Sequence, residues 1–230
     1  MKKIFIAFSI ILSSVIANGQ DAAALIEKVK AKIEKVNDYQ ASGKMKTNVT
    51  FLKVPVANVQ VFFKKPNKLK IKNEKGLSFV PKGAVNINLN TILNDGKYDI
   101  IDAGTDKIDG IAVRVVRLLP EDDNAEVVLS TLYIDEKNLV IKKAKTTTRE
   151  NGSYELEMTY GKYIEYGLPD KVVFSFNTKD YKLPKGVTFD FDDGKAPVKK
   201  DDAAKKKKGK AEITFSSYII NKGVSDSVFK

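Results

Sequence analysis

The polar and apolar positions of the chain change period once, near residue 37. Between Asp21 and Val36, Leu25, Val29, Ile33 and Val36 recur at spacings of four, four and three, with Lys and Glu filling the other face. That spacing predicts one amphipathic helix over Asp21–Val36, ended by the turn-favouring pair Asn37-Asp38. Beyond it the period is two. Strands are predicted at Tyr39–Leu52, Val56–Lys65, Lys68–Asn73, Leu77–Val80, Tyr98–Asp102, Ile111–Leu119, Val127–Asp135, Val140–Arg149, Ser153–Tyr163, Lys171–Asn177, Val187–Asp192 and Ala211–Ile220. Turn residues separate them, and Asn151-Gly152 between two alternating runs is the firmest hairpin signal. Only 81–93 departs from this pattern: Val85, Leu89, Ile92 and Leu93 have helical spacing in an Asn-rich setting, which predicts a short helix or flap.

One helix followed by a meander implies a mainly β protein with some α, its sheet antiparallel. The lack of strand–helix–strand alternation argues against a doubly wound parallel sheet. Several strands are apolar on one face and polar on the other, and a sheet of this kind must cover its apolar face. One helix and a flap make a small cover for so wide a sheet, so the sheet should curl on itself, filled by side chains or enclosing an apolar cavity. The candidates for lining such a cavity are Val59, Val61, Phe63, Leu69, Ile71, Leu89, Leu93, Leu156, Met158, Tyr160, Phe174, Phe176 and Phe189. Taken singly, each reads better as an ordinary core residue. The functional reading is collective: part of the concave face is left for an apolar ligand.

The N-terminus adds a destination. Lys2 and Lys3 precede an almost wholly apolar run from Ile4 to Ile16, and Ala17-Asn18-Gly19 supplies small residues before a cut at Gln20. This is the pattern of a cleavable secretory signal, with residues 20–230 forming a single exported domain and the periplasm as the expected compartment. The apolar run is short for a membrane span.

Composition narrows the chemistry. The 230 residues include no Cys and no Trp, and the His count is 0. Disulfides, thiolate nucleophiles, Ser-His-Asp machinery and imidazole or thiolate metal sites are therefore excluded. No cofactor is expected, and function points to binding over catalysis. The acidic sets Asp99, Asp102, Asp106, Asp109 and Asp190, Asp192, Asp193 read as solvated turns and lack the glycine-spaced loop of a calcium site.

The net charge of +11 looks like a statement about partners, but it is unevenly spread. Two lysines fall in the signal, and 194–210 contains eight Lys and two Asp. That block reads as a disordered loop inserted between Val187–Asp192 and Ala211–Ile220, strands that would otherwise pair as a hairpin. Its Lys199, Lys200, Lys205, Lys206, Lys207 and Lys208 would suit transient contact with an anionic membrane surface. Export, and the lack of aromatics among these lysines, argue against nucleic acid.

Four stretches resemble one family. Ala41-Ser42-Gly43-Lys44-Met45, with 59–70 running through Lys65-Pro66-Asn67, is similar to the opening strands of the periplasmic lipoprotein-carrier superfamily, the LolA/LolB-like proteins. Asp109–Val113 leading to Leu118-Leu119-Pro120 resembles its central strand. Leu132–Asp135 with Leu139–Ile141 resembles the next hairpin, and 213–229 the closing strand and tail. The resemblance implies a strongly curved, half-open antiparallel barrel whose concave face is covered by the N-terminal helix and the flap. It implies a carrier or chaperone that binds acyl chains of lipoproteins, or a related amphiphile, for outer-membrane lipoprotein sorting, with a monomer as the default state. An inner-membrane release complex and an outer-membrane acceptor would be its partners. The alternative is a lipid- or protein-sensing module on the same fold; a carboxylate-based glycan hydrolase ranks third. The three arginines, Arg114, Arg117 and Arg149, all lie in sequence outside the helix and the 81–93 segment.

Overall fold

The computed structural model describes residues 21–49, 52–53, 56–73, 93, 97–150, 152–177 and 208–229. The predicted signal, the strands at Leu77–Val80 and Val187–Asp192, and the cavity candidates Leu89 and Phe189 lie outside these residues. So do most of the flap and Lys199, Lys200, Lys205, Lys206 and Lys207.

The helix, α1, spans 21–33 and ends in a turn that leads to Val36. Eleven strands follow: β1 (Asp38–Val49), β2 (Leu52–Lys53), β3 (Ala57–Lys64), β4 (Lys68–Asn73), β5 (Tyr98–Ile108), β6 (Ile111–Pro120), β7 (Val127–Asp135), β8 (Val140–Thr148), β9 (Gly152–Thr159), β10 (Lys171–Asn177) and β11 (Lys208–Ile220). They form one curved, open sheet in the order β4-β3-β1-β11-β10-β9-β8-β7-β6-β5, with β2 paired to β1 alone. Every pairing is antiparallel.

Three expectations are corrected. β5 runs on past Asp102, because a bulge between Asp102 and Thr105, with Gly104 at φ 86, lets the ladder continue through a stretch that breaks alternation. β9 stops at Thr159 instead of Tyr163, and Ile164–Tyr166 forms a 3₁₀ turn closed by Gly167 at φ 65. β11 begins at Lys208, so the last three residues of the Lys-rich block belong to a strand. Ala211–Thr214 has β1 on one side and β10 on the other.

α1 lies on the concave face. Ala22, Leu25, Ile26 and Val29 pack with Val116, Leu118, Leu132, Ile134, Ile141, Ala144, Leu156, Met158, Phe174 and Phe176 of β6–β10. Its first residue, Asp21, lies 3.4 Å from Arg114, which also binds Asp102 at 2.5 Å. Arg114 is distant from the helix in sequence, and the fold brings it there. Near the other end of α1, Lys32 Nζ donates to the Asn138 carbonyl at 2.6 Å. A second cluster, outside the cover of α1, joins Val36, Ala41, Met45, Val59, Val61, Phe63, Leu168 and Tyr218.

Candidate functional site

Alternation along the strands decides which side chains meet on the concave face. The register Met45↔Ile213, Val61↔Ile71, Phe63↔Leu69, Val172↔Met158 and Phe174↔Leu156 places all of these on one side. α1 covers only the β6–β10 part of that side. Beyond the end of α1 the sheet still curves, and a cleft of about 170 Å³ remains between the two clusters.

Met45, Val61, Phe63, Leu69 and Ile71 line one side of the cleft, and Leu156, Met158, Val172, Phe174, Ala211, Ile213 and Phe215 the other. Ile33, Val36 and the Tyr166–Pro169 loop border it at the end of α1, and Tyr39 completes it. No Lys, Arg, Asp or Glu is among these residues. The loop is held in place by aromatic packing: Tyr218 donates to the Pro169 carbonyl at 2.7 Å, and its ring meets Tyr163 and Tyr39 edge-on at 4.9 and 5.4 Å. Burial raises the phenol pKa of Tyr39 and of Tyr218 well above the ordinary range, so both are neutral donors at any physiological pH.

Of the candidates read from the sequence, Val61, Phe63, Leu69, Ile71, Leu156, Met158 and Phe174 line this cleft. Val59 is buried in the cluster beside it. Leu93 and Phe176 are buried under α1, and Tyr160 packs against that cluster and donates to the Ile141 carbonyl at 2.8 Å. These three fill core and do not face the cleft. Residues not anticipated are Ile33, Val36, Tyr39, Met45, Val172, Ala211, Ile213, Phe215 and the Tyr166–Pro169 loop. The alternation of β1 and β11 could have pointed to Met45 and Ile213. No local signal marks the loop, which reads as an ordinary turn.

Asp190, Asp192 and Asp193 lie outside the described residues, and the other acidic set does not converge. Asp102 is committed to Arg114, Asp106 Oδ1 accepts from the Lys107 amide at 2.7 Å, and Asp109 sits in a turn at φ 51, 4.0 Å from Lys142. Among the described residues no group of three acidic side chains is placed to hold a metal. What the concave face offers is hydrocarbon, not a cleft of paired carboxylates.

No protein-family model and no curated protein sequence matches the chain. Solved structures do match over nearly its whole length. One is described as an outer membrane lipoprotein-sorting protein domain from Vibrio parahaemolyticus, at 12% identity and TM-score 0.58, covering 92% of this chain and 97% of the other. A DUF1329 family protein from Desulfovibrio piger matches at 12% identity and TM-score 0.56, covering 91% and 97%. A LolA superfamily protein from Nitrosomonas europaea matches at 11% identity and TM-score 0.52, again covering 91% and 97%. The curved open sheet, with its N-terminal helix across the concave face, is the fold of LolA-like lipoprotein-sorting proteins.

Proposed function

We propose that this protein is a periplasmic carrier or chaperone that binds acyl chains of lipoproteins, or a related amphiphile, for outer-membrane lipoprotein sorting. The observation that carries the reading is the cleft: its lining is hydrocarbon and aromatic, carries no charge, and lies on the concave face at the end of α1, between the cluster that α1 covers and the one beyond it. An acyl chain gains about 0.8 kcal/mol for each CH₂ it buries, so several methylenes suffice for useful affinity. The fold shared with a lipoprotein-sorting domain supports this reading. The signal-like N-terminus supports the periplasm.

Leu69 and Ile71 are half-buried on an edge strand, so polar replacements there spare the deep core. L69N and I71N are expected to weaken binding of a fluorescent fatty-acyl probe by about tenfold each, with little loss of stability. Native mass spectrometry of protein purified from its host should show bound lipid. Empty protein that also fails to bind the probe would sink the proposal. A single stable protein partner with no lipid would move the assignment to the sensing module.

A further inference from the structure

The convex face carries a second, separate feature. Strand pairing sets Lys44 and Lys46 of β1, Lys64 of β3, and Lys68, Lys70 and Lys72 of β4 on that outer side. Lys210 of β11, opposite Asn48, joins them. Elsewhere on the same outer face, lysines are matched by acids. Lys143 binds Glu155 and Glu157 at 2.8 and 3.3 Å, Lys145 lies 3.7 Å from Glu155, and Lys171 binds Glu212 at 2.9 Å. Around β1, β3 and β4 Asp226 holds Lys64 and Lys68 at one end, at 3.1 and 2.8 Å, and Glu212, opposite Lys46 in the register, is engaged by Lys171. Lys44, Lys46 and Lys72 are exposed, and no carboxylate among the described residues lies within ion-pair distance of them.

Edge lysines commonly protect a sheet from pairing with another chain, and that accounts for β4. It does not account for Lys44, where β1 is flanked by β3 on one side and β11 on the other. At the same end of the patch Val56, immediately before β3, is 59% exposed, an apolar side chain placed beside cations. Adjacent strands lie about 4.8 Å apart and residues on one face about 7 Å apart along a strand, so each of these charges falls roughly within one screening length of the next along the patch.

We propose that this convex face docks on an anionic phospholipid surface, with Lys44, Lys46 and Lys72 as its main contacts and Val56 at its margin. The proposal is independent of what the concave cleft binds. Co-sedimentation of the purified full protein with phosphatidylglycerol-rich vesicles, and with vesicles of phosphatidylcholine alone, tests it. Binding is expected only to the anionic vesicles and should fade as salt rises. The triple variant K44Q/K46Q/K72Q should lose about a hundredfold in partitioning, about fivefold per lysine. A triple variant of equal charge loss elsewhere, K107Q/K137Q/K222Q, should bind as the parent does. No binding to anionic vesicles at low salt overturns the proposal. So does equal loss in both triples, and so does loss confined to a K205Q/K206Q/K207Q variant.

Discussion

Two glycines show how tightly the sheet is closed at the scale of single residues. A Cβ added to Gly43 would lie 2.5 Å from the Thr214 carbonyl oxygen, at the bulge where the β1–β11 register shifts. A Cβ added to Gly209 would lie 2.5 Å from the Phe176 ring, which stacks on Phe174 at 5.3 Å. The first obstacle is backbone and the second a side chain that can turn. G209A is therefore expected to cost about 1–3 kcal/mol by overpacking, and G43A more. Urea midpoints of the two variants check the order. Adding F176L to G209A should recover part of the loss, since the two positions touch and their effects should not add. Equal costs for the two glycines, or no rescue, would show that the ring does not set the limit.

Elements are held in place by contacts remote in sequence. α1 is amphipathic, but its position depends on Ile26 and Val29 reaching across to β6–β10, on Asp21 meeting Arg114, and on Lys32 meeting Asn138. I26A should cost about 2–5 kcal/mol, read as a fall in the denaturation midpoint. If Ile26 can be removed at no cost, α1 is not anchored by its apolar face. The helix was plain in the sequence because its 3.6 period is carried by four residues in sixteen. Most strands were plain for the same reason at period two. β5 was cut short because Asp102-Ala103-Gly104-Thr105 breaks alternation, and only a bulge lets pairing resume. The cleft was half legible: Val61, Phe63, Leu69 and Ile71 lie on strands whose inward face is obvious, whereas the Tyr166–Pro169 loop enters the site through packing by Tyr218 and Tyr163. The seat of Arg114 beside the helix, likewise, follows from curvature that no local pattern reports.

Across the whole molecule, both hydrophobic clusters contain or border phenols that burial keeps neutral. Tyr39 and Tyr218 belong with one cluster, Tyr154 and Tyr160 with the other. Desolvation raises the pKa of all four, that of Tyr154 to about 12 and the others further. In the unfolded chain a phenol ionises near its ordinary 10.0, so the folded state binds these protons more strongly. Their contribution is fully present below pH 10 and is lost as the pH rises from there towards and beyond the folded values. Denaturant stability should therefore be flat up to about pH 10 and fall steeply above it, with tyrosinate absorbance appearing together with unfolding. Tyrosines that titrated near pH 10 in a still-folded protein would contradict the burial described. At the acid end, Asp226 is held below its ordinary 3.8 by hydrogen bonds from Lys68 and Lys64, so the tail it anchors to β4 should loosen only as the pH falls through that lowered value.

The place of β11 in the sheet has a consequence for how the molecule is made. β1, β3 and β4 form one half-sheet and β5–β10 the other, and the strand that joins them is the last in chain order. Until it is synthesised, the described strands of the two halves have no ladder between them. The decisive contacts are thus among the most distant in the sequence, which makes folding slow and late. A chain still emerging from the ribosome is accordingly left in a loose form until its last strand arrives. A product truncated before β11 never acquires the seam.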